Sequence, residues 1–461
     1  MASPALRADL GRIVGDEHVL DPVPRELLQD ATESRGLTGR ALAAVRPADA
    51  EQVAAVVRWA ARTGTALVPR GGGTGFSGGA VPGAAPDDPD AVVLATDRLT
   101  RGASIRPEDW SATFPAGTVT ADLQRRCLEA GLFFAPNPGS AESSLIGGNV
   151  ATNAGGPRSF KHGPVRAWVS GVEAVLGDGG RVRLGGEVRK NVETLDLLGL
   201  LCGSEGTLGV LTEVTLKLQP APEVALPTIA LYADREAGLA AIAAVLACGV
   251  VPTALEFLDG PALAASAGAF PGGLPDGAGF AVLVEALGPA AVAPLEAREL
   301  AAALAPDALA VRSPTERAAV DALWRWRDGV SIAVTAARGG KLSEDLVVPA
   351  SRLGEALAAV EEVGERYGVP VTSWGHAGDG NLHATVLVDR DDAAELARAE
   401  QAAHAMLEIA HRLGGALTGE HGIGLVKREA AAELDPVLRR TQRAVKDVLD
   451  PAGIMNPGRK L

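Results

Sequence analysis

His376 and His383 bracket a Gly378-Asp379-Gly380 turn, and Glu420 stands between glycines in Gly419-Glu420-His421-Gly422. Val369 to Trp374 and His383 to Val388 read as strands entering and leaving the turn. A turn brings its flanking side chains together, so two imidazoles can point at one spot. Two histidines plus a carboxylate from a separate loop form a ligand set suited to zinc and tolerable for manganese or iron. The alternative is a pair of hydrogen-bonded structural histidines beside a solvated glutamate. His404 and His411 differ by seven on a predicted helix and read as surface residues.

A second chemistry lies in glycine. Pro69-Arg70-Gly71-Gly72-Gly73-Thr74-Gly75-Phe76-Ser77-Gly78-Gly79 holds too many glycines for a helix or strand interior. Ala66-Leu67-Val68 reads as the short strand that delivers this loop. Successive unshielded N–H groups make a concave nest for anionic oxygens, above all phosphate. No clean helix start follows, so this is not a Rossmann fingerprint. No Gly-Lys-Ser/Thr appears, so it is not a Walker loop. A glycine-rich surface linker is the bland alternative. A second glycine-rich stretch runs from Pro136 to Gly156, with Ser144, Asn149, Thr152 and Asn153 as hydrogen-bonding points. Small side chains suit a large flat cofactor passing over the backbone. The alternative is a tight multi-turn crossover.

At 461 residues the chain has room for two or three domains. A net charge of −14 argues against a nucleic-acid partner. Cys127, Cys202 and Cys248 are far apart and no C-x-x-C exists, which argues against an iron–sulfur cluster or thiolate zinc site. The low, odd count suits a reducing compartment. Neither a signal peptide nor a membrane-spanning run is expected.

The elements that must position these residues follow in order. Residues 1 to 46 read as a helical lead-in broken at Asp21-Pro22-Val23-Pro24. Val53, Val56, Val57 and Ala60 fall on one face of a helix over 49–62. Strands are expected at 91–94 and ending at 113–117, and a helix over 120–131. A hairpin pairs 172–176 with 181–184 around Gly177-Asp178-Gly179-Gly180. Gly203 to Val210 leads into a strand through Leu218. Pro220 and Pro222 punctuate a boundary. Beyond it, strands at 228–232, 280–285 and 386–388 alternate with helices near 235–248, 289–304, 314–327, 351–367 and 392–412. That pattern suits an antiparallel sheet carrying helices.

These motifs, together with Gly375 to His383, Gly419 to Gly424 and Asn456-Pro457-Gly458-Arg459-Lys460, occur in the order of one flavoenzyme branch. The chain resembles the FAD-linked 2-hydroxy acid dehydrogenases: D-lactate dehydrogenase of the cytochrome type, the flavin subunit of glycolate oxidase, and D-2-hydroxyglutarate dehydrogenase. These lie within the vanillyl-alcohol oxidase/p-cresol methylhydroxylase superfamily. The resemblance implies an α+β fold with a two-lobed FAD-binding domain over 1–220. An antiparallel-sheet α+β cap domain would span 221–415, and a C-terminal segment over 416–461 would return to the flavin. By motif, Arg70, Gly71, Gly72, Gly73, Thr74 and Gly75 are expected to cradle the pyrophosphate. Pro138, Gly139, Ser144, Gly148, Asn149, Thr152 and Ala154 would line the path from adenosine to isoalloxazine. Gly206 and Val210 would touch the far side, and Asn456 the ring. Residues 70 to 79 contain neither histidine nor cysteine, so FAD is expected to be dissociable. His162 stands where relatives usually carry tyrosine, as a packing replacement or a flavin contact.

The family's chemistry is oxidation of a 2-hydroxy acid. His376, His383 and Glu420 would hold a divalent metal, with zinc expected, that lowers the cost of ionising the hydroxyl. His421 would take the proton. Arg327, in Trp324-Arg325-Trp326-Arg327, and Lys341 match the segment that binds the substrate carboxylate, with Ser331 one turn from Arg327. Surface charge is the alternative for Arg325 and Arg327. The implied partners are a small 2-hydroxy acid and a separate electron acceptor: a quinone, an electron-transfer protein or an iron–sulfur subunit. A homodimer is allowed. A cytoplasmic location is expected, or a peripheral one at the inner face of a membrane. Competing readings are a flavin oxidase of another alcohol and a non-catalytic flavin-fold subunit. The metal-type residues argue against both.

Overall fold

The computed structural model describes residues 3–460. Met1, Ala2 and Leu461, the ends of the expected domain spans, lie outside the described residues. The chain forms two compact units. One comprises the N-terminal stretch to Ala154, Pro164–Ala221 and the chain from Glu420 onward. The other comprises Gly155–Gly163 and Pro222–Gly419.

The first unit holds two main sheets. One has four strands in the order β1 (Val19–Leu20), β2 (Ala43–Val45), β4 (Ala91–Ala95), β3 (Ala66–Arg70). Strands β2 and β3 both run parallel to β4. The helix Ala50–Thr63 makes the crossover between β2 and β3. Asp49 caps it by accepting the Gln52 N–H at 2.8 Å, and Gly64 ends it in the left-handed region at φ 67°. Val53, Val56, Val57 and Ala60 are fully buried, as their helical spacing predicts. The second sheet is antiparallel, in the order β5 (Ser104–Arg106), β6 (Ser111–Pro115), β10 (Gly209–Lys217), β8 (Val169–Leu176), β9 (Arg181–Gly185). A small ladder joins β7 (Leu132–Phe133) to β11 (Gln219–Pro220).

The second unit is built on a seven-stranded sheet. Its order is β15 (Ala310–Arg312), β12 (Val224–Tyr232), β14 (Phe280–Gly288), β13 (Ala254–Leu258), β17 (Val371–His376), β18 (Asn381–Val388), β16 (Gly340–Val347). Every pairing in it is antiparallel. The helices Gly260–Ser266 and Arg317–Arg338 close one face around Leu231, Leu258, Leu263, Leu283, Leu323, Trp326, Val330 and Trp374. The helices Arg235–Ala247 and Leu353–Tyr367 lie on the opposite face, where Gly238 abuts Phe280 and Gly364 abuts Val371.

Three differences from the sequence reading bear on the site. The helix expected to end near 327 continues to Arg338. Its second half is rich in β-branched residues that locally favour a strand, but burial of Val330 and Val334 overrides that preference. The second glycine-rich stretch contains a short helix, Ile146–Thr152. Gly147 is needed there because a Cβ would sit 2.7 Å from the Ala116 Cβ. The lead-in contributes two strands, β1 and β2, beyond the single helix Pro4–Val14. Among the described residues, no helix is long and apolar enough to cross a membrane.

Candidate active site

In the first unit the two glycine-rich stretches lie against each other. A Cβ on Gly71 would come within 3.4 Å of the Gly148 Cα, and one on Gly72 would strike the Ser143 carbonyl oxygen at 2.2 Å. Gly72 is exposed and Gly71, Gly73, Thr74 and Gly75 are half-buried, so the backbone of the first loop is reachable. Arg70 is 6% exposed and lies beneath the loop. Its guanidinium donates to the carbonyls of Glu26 and Ala80, so it braces the loop from behind. Gly139 has open space around its Cα, with nothing within 4 Å of a would-be Cβ. Pro138 accepts the Ala141 N–H at 3.0 Å and so shapes the turn that carries Gly139.

The hydrogen-bonding side chains of the second stretch turn inward. Ser144 Oγ and Asn149 Nδ2 both meet the buried Thr120 hydroxyl, at 2.9 and 2.6 Å. The Thr152 hydroxyl donates to the Gly148 carbonyl, and the Ala154 carbonyl accepts the Val165 N–H at 3.0 Å. These groups hold the shape of the stretch from within. Thr120 carried no sequence signal, because its partners are distant in the chain. Gly206, at φ 72°, lets the third loop approach Pro69, where a Cβ would stand 3.2 Å from the proline ring. Val210 is a core residue of β10, 1% exposed.

The C-terminal chain clasps the first loop within the same unit. Ser77 donates to the His421 carbonyl at 3.0 Å, and Leu425 and Val426 donate their N–H groups to the Ser77 carbonyl. The Phe76 and His421 rings stack with centroids 4.7 Å apart. Glu205 accepts the N–H groups of Ile423 and Gly424 at 2.9 and 2.7 Å, and Lys460 reaches the same carboxylate. Asn456 donates from Nδ2 to the carbonyls of Gly79 and Glu205. Arg459 grips Asp88 and the carbonyls of Gly78 and Val81.

In the second unit one face of the sheet gathers polar groups that the sequence scatters. On β17 and β18, His376 is paired with Asn381 and Trp374 with His383. On β16, Asp345 lies opposite His383. Strand side chains alternate, so His376, Trp374, His383, Asp345 and Lys341 share a face. The imidazoles of His376 and His383 meet edge to face at 5.5 Å. The fully buried Asp345 accepts from the Asn381 amide, from the Thr418 hydroxyl at 2.8 Å and from the Gly419 N–H at 2.9 Å. It thereby holds the loop end that carries Glu420, the next residue in the chain. His376 and His383 thus present two imidazoles on one face of this sheet, of a residue type able to ligate a metal ion.

Two cations stand on this unit. Lys341 sits over the Trp374 ring at 5.2 Å and donates to the Ser331 carbonyl and hydroxyl. Burial pushes its ammonium down to about 8. Arg327 is 7% exposed, and its Nε, at 2.8 Å, and Nη2 both donate to Glu256 Oε2. Glu256 Oε1 meets His376 Nδ1 at 2.7 Å. Burial pushes the Glu256 carboxyl up, but Arg327 and His376 outweigh it and hold the group below the ordinary glutamate value. Arg325, by contrast, is exposed, as are His404 and His411. His162 is neutral near pH 7, pushed down to about 4 by burial and by Lys161 and Arg158.

Comparison with known proteins decides the family. Residues 221–459 match the model for FAD linked oxidases, C-terminal domain, and residues 41–185 match an FAD binding domain. The chain belongs to the FAD-linked oxidase family. It is 34% identical to the glycolate oxidase subunit GlcD of Bacillus subtilis, over 90% of this chain and 88% of that one. It is 33% identical to a D-lactate dehydrogenase of Archaeoglobus fulgidus, over 90% of each chain. It is 31% identical to the D-2-hydroxyglutarate dehydrogenase of Stutzerimonas stutzeri, over 100% of this chain and 99% of that one. Among solved structures, p-cresol methylhydroxylase aligns at a TM-score of 0.79 and 19% identity, covering 98% of this chain and 95% of the other. The chain is therefore an FAD-linked oxidoreductase of the glycolate oxidase, D-lactate and D-2-hydroxyglutarate dehydrogenase group, with the α+β fold of the p-cresol methylhydroxylase type.

The residues of this FAD-linked oxidase fit its cofactor. Asn456 is 1% exposed and its Oδ1 has no hydrogen-bond partner among the described residues, an acceptor left for a ligand N–H. At Gly139, with nothing within 4 Å of a would-be Cβ, the backbone is open to the close approach that a flat ring system or a pyrophosphate requires. Glu205, Glu256 and Asp345 were not singled out from the sequence. A carboxylate bonded to distant groups has no local pattern.

Proposed function

We propose that this enzyme oxidises a D-2-hydroxy acid, D-lactate or glycolate, to the 2-oxo acid, with D-2-hydroxyglutarate as the alternative substrate. The observation that carries the reading is the half-buried Lys341 ammonium on the same sheet face as an imidazole pair, in a chain of this family. Residues 1–220 would serve as the FAD-binding domain, 221–415 as the cap domain, and 416–461 as the segment that returns to the flavin. Bound FAD, held without a covalent link, would supply the two-electron acceptor for the α-carbon hydride, and a divalent metal, with zinc favoured by the ligand set, a Lewis acid for the hydroxyl.

The chain's own residues would do the rest. Lys341 and the Nη1 side of Arg327 hold the substrate carboxylate, a charge-assisted contact. Ser331 positions the Lys341 ammonium. His376, His383 and Glu420 hold the metal. His421 receives the hydroxyl proton at Nε2, its ring steadied by stacking on Phe76. Electrons would then leave to a separate quinone, electron-transfer protein or iron–sulfur subunit, at the cytoplasm or at the inner face of a membrane.

Anaerobic titration of the purified flavoprotein with D-lactate, L-lactate, glycolate and D-2-hydroxyglutarate tests this. One D-acid or glycolate should bleach the flavin band near about 450 nm. A chelator should slow that bleaching while FAD stays bound. A yellow protein that none of these acids reduces overturns the substrate class, and full activity in metal-free protein removes the metal.

A further inference from the structure

We propose that Glu256 is a positioning residue that sets the tautomer of His376 and the orientation of Arg327 with one carboxylate. The inference rests on the reading of His376 as a metal ligand and of Arg327 as a carboxylate-binding group. Glu256 is fully buried at the centre of the sheet, the direct register partner of His376 on the neighbouring strand. Its two oxygens are divided between the two groups: Oε1 lies 2.7 Å from His376 Nδ1, and Oε2 accepts both Nε and Nη2 of Arg327.

The division has a consequence for the metal. A carboxylate paired to a guanidinium is ionised and can only accept hydrogen bonds. Nδ1 of His376 must therefore carry a proton toward Oε1. In a neutral imidazole the lone pair then lies on Nε2, the atom that must ligate. The same carboxylate engages the Nε–Nη2 edge of Arg327, so the arginine can turn only its Nη1 side toward a substrate. Removing the carboxylate would leave a buried guanidinium without its counter-charge, so the three groups depend on one another.

The test is Glu256→Gln in the FAD-loaded full chain. The glutamine oxygen must face Arg327, because an amide N–H there would oppose the guanidinium N–H groups. The amide N–H then faces His376 Nδ1, which must accept, and the imidazole proton moves to Nε2, where it blocks ligation. Zinc affinity, measured by competition with a chromophoric chelator, should fall about 10–100-fold, while flavin absorbance and far-UV circular dichroism match the wild type. In zinc-free protein with ¹⁵N-labelled histidine, His376 should be the Nδ1–H tautomer in the wild type and the Nε2–H tautomer in the variant. A variant that binds zinc as tightly as wild type overturns the proposal. So does a wild-type Nε2–H tautomer, a result that stands even if the variant fails to fold. A wild-type protein that takes up no zinc yet shows Nδ1–H instead overturns the metal reading and leaves Glu256 setting the tautomer.

Discussion

Replacing Lys341 with methionine should stabilise the protein and weaken its grip on the acid at the same time. Burial lowers the Lys341 ammonium from 10.5 to about 8. At about 1.4 kcal/mol per unit, holding the proton at neutral pH costs the folded state about 3 kcal/mol. Methionine has a similar length and no charge, so that cost disappears. The lost hydrogen bonds to Ser331 offset about 1 kcal/mol of the gain, leaving a net gain of about 2 kcal/mol. The sign with pH follows: between about 8 and 10.5 the unfolded chain binds more protons than the folded one, so wild-type stability should rise across that window. Lys341→Met should flatten the rise. Binding moves the other way. A charge-assisted hydrogen bond to the carboxylate is worth about 1.5–3 kcal/mol, so half-saturation by the acid should rise roughly 10–150-fold. In wild type, acid affinity should fall as pH passes about 8, and Lys341→Arg should push that limb out of reach, since a guanidinium stays charged. Denaturant melts at several pH values and stopped-flow flavin reduction against acid concentration supply both readouts. A methionine variant that is less stable and binds the acid unchanged would refute the reasoning.

Three further outcomes are expected. His421→Ala should slow flavin reduction by on the order of 10²-fold or more while FAD remains bound; an unchanged reduction rate removes His421 as the base. Gly72→Ala should yield protein with little flavin, because its Cβ would meet the Ser143 carbonyl oxygen at 2.2 Å and force the two glycine-rich stretches apart; normal absorbance per mole of protein would count against that packing. Glu205→Ala strips the acceptor from the Ile423 and Gly424 N–H groups and from Lys460, which should cost about 2–4 kcal/mol and expose the chain after residue 420 to limited proteolysis; a protease map identical to wild type would contradict the clasp.

Local chemistry spoke plainly in this sequence. Glycine is tolerated in long runs only where something approaches the backbone, so the loop at 69–79 could be read before any fold was known, whereas the helix Ile146–Thr152 inside the second glycine-rich stretch could not. Histidines flanking a Gly-Asp-Gly turn are close in the chain and hence in space. The crossover helix, expected over 49–62 and found over Ala50–Thr63, followed from its apolar spacing. What had no local signature was decided by tertiary structure. Glu256 lies 120 residues from His376 and 71 from Arg327; strand pairing brings it to the first, and packing of the helix Arg317–Arg338 on the sheet brings it to the second. Arg70 reads as a phosphate ligand from its place in the loop, yet packing turns its guanidinium beneath that loop toward Glu26 and Ala80. Ser144 and Asn149 read as ligand contacts, yet both meet Thr120. In each case the sequence names a donor or acceptor, and long-range packing selects its partner. Spacing along the chain reports neighbours within a turn or a strand, whereas a buried polar group must be satisfied by whatever the fold places beside it.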